Sequence, residues 1–87
     1  MIDILTTKHF DKSFKKKDEF IRKRALERIK LFQQDPFNFL LNNHALTGEH
    51  EGKRSFNVTG DYRIMFYYAK ENTAVLTDIG THPELYE

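Results

Sequence analysis

The chain has 87 residues, of which 39% are hydrophobic and 31% are charged, and its formal net charge at pH 7 is +1. This composition is typical of a soluble globular domain and excludes an intrinsically disordered chain. The absence of cysteine excludes disulfides, a thiolate nucleophile and a cysteine-ligated metal, and it suits the cytoplasm, where we expect the protein to act. There is no signal peptide and no apolar run near the roughly 20 residues of a spanning helix, so we expect no membrane partner.

The N-terminal part of the chain predicts a strand followed by two helices. Residues 1–7 are rich in aliphatic and β-branched side chains, which favour a strand. Thr7 is placed to cap a first helix over residues 8–16. Asp18 is placed to cap a second helix that ends at Asp35 and Pro36, and its apolar residues recur at helical spacing: Ile21, Ala25, Ile29 and Phe32.

Residues 37–51 show neither a strand period nor a helix period and predict a long connecting loop. We expect its apolar residues to pin it to the core: Phe37, Phe39, Leu40, Leu41 and Leu46. His50, between Glu49 and Glu51, is expected to be solvated. Loops of this length in small domains are often functional.

The C-terminal half predicts three strands, over residues 54–58, 61–69 and 73–79. Thr59 and Gly60 mark one tight turn and residues 70–72 the next, so consecutive strands must be antiparallel. The apolar run over residues 64–68 predicts a central strand that is covered on both faces.

We therefore predict an α+β fold in the order β-α-α-β-β-β, with residues 1–87 forming one domain. It has two layers, because two N-terminal helices can bury their apolar stripes only against one face of the small antiparallel sheet. The opposite face is either open or lined by the long loop, and a concave site is expected there.

Charge is distributed unevenly along the chain. Residues 8–30 contain ten basic and four acidic residues, whereas the remainder contains four basic and nine acidic residues. The basic segment is either the solvated outer face of the helices or a phosphate-binding surface.

Four short motifs occur in one order: Asn43 to Gly48 (H-x-L-x-G), Gly52 to Arg54 (G-x-R), Gly60 to Ile64 (G-D-Y-R-I) and Gly80 to Tyr86, which begins G-T-H. In this order and spacing they resemble the toxins of the RelE/ParE superfamily, most closely the YafQ-like branch. The resemblance covers almost the whole chain. It implies a toxin of a type II toxin-antitoxin module, an endoribonuclease (mRNA interferase) that cleaves messenger RNA on the ribosome and inhibits translation.

Cleavage of this kind needs no metal and no cofactor, and we expect neither. The RNA 2′-hydroxyl attacks the adjacent phosphate, so the site must accept one proton, donate another and stabilise the phosphate charge. Histidine suits either proton role because its ordinary pKa is near 6.5.

The resemblance implies specific site residues. The catalytic positions are His44, Asp61, His82 and Tyr86. The positions for phosphate or RNA are Lys53, Arg54, Tyr62 and Arg63, with Tyr62 suited to stacking on a base. Each also has a purely structural interpretation: a loop brace for His44, a turn residue for Asp61, a strand-end hydrogen bond for His82, packing for the tyrosines and a surface ion pair for Arg54.

One residue departs from the pattern of the branch. Asn57 stands where these toxins often have a further histidine, and asparagine cannot transfer a proton at neutral pH. Either the remaining histidines suffice, or cleavage is slower, or the protein has lost it.

Two partner predictions follow from the resemblance. The first is a cognate antitoxin, an acidic or amphipathic segment that docks on the basic helices or the exposed sheet face. The second is messenger RNA on the ribosome. The alternative function is that of a ParE-like toxin, which binds DNA gyrase without being an enzyme, and the histidine-rich site argues against it.

Overall fold

The computed structural model describes residues 1–86. The strands and helices follow in the order β1 (Asp3–Thr6), α1 (Lys8–Lys15), α2 (Glu19–Gln34), β2 (His44–Ala45), β3 (Arg54–Thr59), β4 (Tyr62–Lys70), β5 (Thr73–Thr81) and α3 (His82–Tyr86). Two 3₁₀ turns, Phe39–Leu41 and Gly48–His50, lie in the long connection between α2 and β3. The predicted α+β fold is confirmed, and the structure adds the two-residue strand β2 and the short helix α3.

Both N-terminal helices begin where their capping residues predict. The Thr7 hydroxyl accepts a hydrogen bond from the Phe10 N–H at 3.0 Å, and the Asp18 carboxylate accepts one from the Ile21 N–H at 2.9 Å. These bonds satisfy N–H groups that the first turn of a helix leaves without partners. The predicted boundaries of α1 and α2 are therefore correct to within a residue.

The sheet has five strands in the order β1-β5-β4-β3-β2, with β4 at its centre as predicted. The prediction that residues 64–68 are covered on both faces is correct for Ile64, Met65 and Phe66 and wrong for Tyr67 and Tyr68, which are exposed. The pairs β2 with β3, β3 with β4 and β4 with β5 are antiparallel, as short turns require. β1 pairs with β5 in parallel, with Ile4 opposite Ala74, so the whole sheet is mixed. The two strands are separated by most of the chain, which leaves their relative direction free of any turn constraint.

An aromatic cluster joins α2 to the middle of the sheet. The Phe32 ring stacks on Phe56 with centroids 4.9 Å apart and meets Phe66 edge-on at 4.8 Å. All three side chains are fully buried, together with Ile64 and Leu76 of the central strands. One face of the sheet is therefore the face that packs against the helices, as predicted.

The apolar anchors predicted for the long loop are only partly correct. Leu41 is fully buried, but Phe39 is 86% exposed, and Phe37 and Leu40 are also exposed. Because Phe39–Leu41 form a single 3₁₀ turn, the three side chains point in different directions and only one can reach the core.

No helix within residues 1–86 is long and apolar enough to cross a membrane.

Candidate active site

The turn between β3 and β4 brings Asp61 next to His82. Gly60 has φ +55°, a left-handed conformation that suits glycine, and it allows the chain to reverse over Gly60 and Asp61. Tyr62 pairs with Thr81 across β4 and β5, so Asp61 lies opposite His82 just beyond the ladder. The His82 N–H donates a hydrogen bond to the Asp61 carbonyl at 3.0 Å. Two predicted catalytic residues are thus neighbours, held by the backbone.

Helix α3 begins at His82 with a capping box. The Glu84 carboxylate accepts a hydrogen bond from the Thr81 N–H at 2.7 Å, and the Glu84 N–H donates to the Thr81 hydroxyl at 3.4 Å. These two bonds, and then the charge of Lys17 at 4.0 Å, hold the pKa of the Glu84 carboxyl below its ordinary value. The cap fixes the direction in which α3 leaves the sheet.

Gly80 has no side chain and so leaves space for α3 to pack against β5. A Cβ at this position would lie 3.1 Å from Glu84 Oε1 and 3.4 Å from Leu85 Cδ2. Because Gly80 pairs with Arg63, that missing side chain would point to the same face as Arg63. Helix α3 therefore folds back over the sheet face opposite α2, which we call the site face.

The strand register places Ser55, Asn57, Arg63, Met65 and Gly80 together on the site face, where His44 is opposite Ser55 and Asp78 is opposite Met65. Ser55 and Met65 are 0% and 2% exposed, although α2 packs on the other side. Ser55 Oγ and Asn57 Oδ1 are buried and have no hydrogen-bond partner within residues 1–86. This face is therefore covered at Ser55 and Met65, whereas Asn57 and Arg63 are half-buried.

Three rings lie together where the long loop approaches α3, and we call His50, His82 and Tyr86 the His-Tyr cluster. The His82 and Tyr86 rings are 4.5 Å apart between centroids, and the His50 ring meets Tyr86 edge-on at 5.6 Å. His50 is half-buried, so the prediction of a solvated side chain is wrong. The neighbouring glutamates suggested a solvated residue, and nothing else in the sequence indicated the contact with Tyr86. That contact depends on the tertiary position of the loop.

Arg63 is the predicted phosphate residue that belongs to this region. It lies opposite Asn57 of β3 on one side and opposite Gly80 of β5 on the other, and Gly80 is two residues before His82, the first residue of α3. One guanidinium nitrogen donates to the Gly60 carbonyl at a long 3.4 Å. The side chain is therefore only weakly tied to the protein and can bind an anion at the site face.

Arg54 and Tyr62 lie on the side of the helices. Arg54 pairs with the core residue Phe66, donates to the Asn43 side-chain oxygen at 2.9 Å and lies over the Phe37 ring at 5.6 Å. Tyr62 is half-buried and packs against the core. The structure does not bring either side chain to the His-Tyr cluster.

His44 and Lys53 lie toward the β2 edge of the sheet. His44 is exposed, pairs with Ser55, and has its Nδ1 2.8 Å from the Asn42 carbonyl. Strands β3 and β4 separate β2 from β5, which places the strands of His44 and His82 about 14 Å apart. Lys53 is half-buried just before β3, where its N–H donates to the His50 carbonyl at 3.0 Å.

Within residues 1–86, no group of three or more histidine, aspartate or glutamate side chains is arranged to hold a metal ion.

Solved structures of small bacterial toxins share this fold. A YoeB/ParE toxin from Agrobacterium tumefaciens is 15% identical, covers 93% of this chain and 99% of its own, and has a TM-score of 0.77. A metal-bound toxin from Helicobacter pylori is 27% identical over 99% of this chain and 100% of its own, with a TM-score of 0.76. YafQ in the E. coli DinJ-YafQ complex is 19% identical over 100% of both chains, with a TM-score of 0.71. The architecture is thus that of a small bacterial toxin.

The family can be named from the sequence match. The model of the bacterial toxin of type II toxin-antitoxin system, YafQ, matches residues 2–87, and the chain belongs to this family. The predicted membership of the YafQ branch is confirmed. No protein with a curated description matches the chain significantly.

Proposed function

We propose that this toxin is a ribosome-dependent endoribonuclease that cleaves messenger RNA by acid-base chemistry and acts in the cytoplasm. The observation that carries the proposal is the position of His82. It contacts Tyr86, its N–H is bonded to the Asp61 carbonyl, and Arg63 lies two residues away across the ladder. A proton-transfer group and a phosphate-binding group thus share one end of the sheet.

The reaction assigns a role to each group. As the RNA 2′-oxygen forms a bond to phosphorus, a base takes its proton; as the bond from phosphorus to the 5′-oxygen breaks, an acid protonates that oxygen. The products are a 2′,3′-cyclic phosphate and a 5′-hydroxyl. Arg63 stabilises the phosphate charge, and His82 supplies one of the two proton transfers.

The other predicted residues surround this centre. Asp61 is exposed beside His82 and suits proton transfer or orientation of the imidazole, and the ring of Tyr86 holds His82 in place. His44 and Lys53 are suited to the RNA strand as it continues toward β2. Arg54 and Tyr62 can bind RNA only where it reaches β3 and β4 from the side of the helices.

Primer extension on messenger RNA from briefly induced cells tests the proposal. Wild type should give discrete cleavage sites and growth arrest, and His82→Ala should give neither. His9→Ala on α1 is the matched control and should behave as wild type. Full cleavage by His82→Ala would overturn the assignment, and intact messenger RNA with loss of DNA supercoiling would favour the gyrase-binding alternative.

We also propose that an antitoxin docks on the outer face of α2. Phe20 and Leu26 are each 57% exposed, and the Arg24 guanidinium lies over the Phe20 ring at 5.5 Å. Phe20, Lys23, Arg24 and Glu27 line a shallow groove of about 170 Å³. Exposed apolar side chains next to basic ones suit an acidic amphipathic segment. In the E. coli complex, YafQ is bound to DinJ.

Co-purification with the product of the adjacent reading frame tests this surface. Arg24→Glu should weaken the complex, whereas Lys70→Glu, the same charge change at an exposed residue of β4, should not. Equal retention of the partner by both variants would place the antitoxin elsewhere.

A further inference from the structure

His50 is fixed at the candidate active site by a contact across the site face. It ends the 3₁₀ turn Gly48–His50, on the side of the sheet where β2 and β3 lie. Tyr86, which its ring meets at 5.6 Å, belongs to α3, and α3 extends from β5. The contact therefore connects a segment next to β2 with a segment next to β5, and β3 and β4 lie between these two strands.

The burial of the site face is consistent with this bridge. Ser55 and Met65 lie on neighbouring strands between the two segments and are almost completely buried, and Asn57 Oδ1 is also shielded. Helix α2 packs against the opposite face, whereas α1 reaches β5, where His9 Nε2 lies 3.0 Å from the carboxylate of Asp78, the residue opposite Met65. The loop with His50 and the helix with Tyr86 therefore contribute, together with α1, to the cover over the strands that carry Asn57 and Arg63.

Within the His-Tyr cluster, His50 and His82 are the two groups that can transfer a proton near neutral pH. The His50 and His82 rings both lie next to the Tyr86 ring, at 5.6 Å and 4.5 Å between centroids. The distance between the two imidazole centroids therefore cannot exceed the sum of these two distances. A tyrosine hydroxyl is a poor proton acceptor at neutral pH, and the amide of Asn57 cannot serve.

We propose that His50 is a second catalytic residue of the RNA cleavage and acts as the partner of His82. One imidazole accepts the proton of the 2′-hydroxyl as that oxygen bonds to phosphorus. The other donates a proton to the 5′-oxygen as its bond to phosphorus breaks, and solvent exchange restores both imidazoles. This inference rests on the proposed function, and it assigns to the loop a role that Asn57 cannot fill from the sheet.

The surroundings of His50 determine how its pH dependence is to be measured. The titratable or charged groups on the elements that meet there are Tyr86, His82 and Glu84 on α3, Glu49, Glu51 and Lys53 in the loop of His50, Asp61 in the turn before β4, and His44, Arg63 and Asp78 on the site face. A substitution should therefore keep the size and polarity of the side chain without introducing a charge. His50→Gln meets this condition.

The experiment compares wild type, His50→Gln and His9→Gln in single-turnover cleavage of messenger RNA on programmed ribosomes. We expect His50→Gln to lower the maximal rate about 10²-fold or more, with a similar half-saturating concentration, since acid-base groups typically contribute 10²–10⁴-fold. One limb of the bell-shaped pH dependence should disappear. His9→Gln, which changes a histidine on α1, should keep the wild-type rate and both limbs.

A wild-type rate and an unchanged pH dependence for His50→Gln would overturn the proposal, as would a loss confined to the half-saturating concentration. Absence of cleavage by wild type would instead contradict the proposed function. A second measurement separates these cases: NMR of the histidine rings with a short RNA that is blocked by a 2′-deoxy substitution. The ring signals of His50 should shift with those of His82, and a shift of His82 without His50 would exclude His50 from the site.

Discussion

Arg63 and Arg54 lie on neighbouring strands, β4 and β3, but on opposite faces of the sheet. Arg54 pairs with Phe66 of the core, whereas Arg63 pairs with Asn57 of the site face. The hydrogen bonds of their guanidinium groups also differ within residues 1–86, because Arg54 donates to Asn43 at 2.9 Å and Arg63 donates to the Gly60 carbonyl at 3.4 Å. One fold therefore gives two similar residues different environments.

This relationship predicts unequal effects of the two arginines. Arg63→Ala should lower kcat/KM for messenger RNA cleavage by roughly 10- to 100-fold, as expected for one charge-assisted hydrogen bond to phosphate. Arg54→Ala should reduce kcat/KM less and should lower the free energy of unfolding by about 1 kcal/mol through the lost bond to Asn43. Cleavage assays and urea denaturation of both variants test this. Equal losses of kcat/KM would indicate that phosphate is bound from both faces.

Gly80→Ala should displace α3 with little harm to the rest of the fold. The new Cβ would approach Glu84 Oε1 at 3.1 Å, so the carboxylate that caps α3 must give by a few tenths of an ångström, and this disturbs the cap that orients the helix. Small displacements of catalytic groups cost up to about 10²-fold in rate. We expect cleavage to fall at least about tenfold while the free energy of unfolding falls by roughly 1 kcal/mol. Unchanged amide NMR signals of His82 and Tyr86 would contradict the argument.

Phe32→Ala should destabilise the protein strongly. The ring is fully buried between Phe56 and Phe66, and its removal leaves a cavity in the only large aromatic cluster that residues 1–86 form across the two layers. Such substitutions cost about 3–5 kcal/mol. Phe39→Ala, at a side chain that is 86% exposed, is the matched control and should change the free energy of unfolding by less than about 0.5 kcal/mol. Similar urea midpoints for the two variants would contradict this assignment of the core.

Glu84→Gln should remove a small pH-dependent contribution to stability. The folded state lowers the pKa of Glu84 through the bonds to Thr81 and the charge of Lys17, so the ionised carboxylate stabilises the fold above the ordinary pKa of 4.5. That stabilisation is lost as the pH falls through the lowered pKa. Because the side chain is 56% exposed, solvent screening limits it to about 0.5 kcal/mol. Urea denaturation at pH 6 and at pH 3 should show a difference between wild type and variant at the higher pH only. A larger difference in the free energy of unfolding at pH 3 than at pH 6 would contradict the prediction that the folded state lowers the pKa of Glu84.

Local sequence signals determined most of the secondary structure. The caps at Thr7 and Asp18, the helical spacing up to Phe32 and the turn at Gly60 each act over a few residues, and each appears in the fold where the sequence predicts it. The central position of β4 was also predictable from its apolar run, although only Ile64, Met65 and Phe66 of that run are buried. The two-layer α+β arrangement was thus predictable before any coordinates.

Only the tertiary structure decided the composition of the candidate active site. Whether Arg54 and Arg63 share a face depends on the register of β3 and β4, and a shift by one residue would exchange the faces. The contact of His50 with Tyr86 joins residues 36 positions apart through a loop that has no periodic pattern. The sequence alone determined which chemical groups this protein has. The packing of the loop and α3 over the sheet decided which of these groups lie together, because that packing depends on many contacts between residues far apart in the chain.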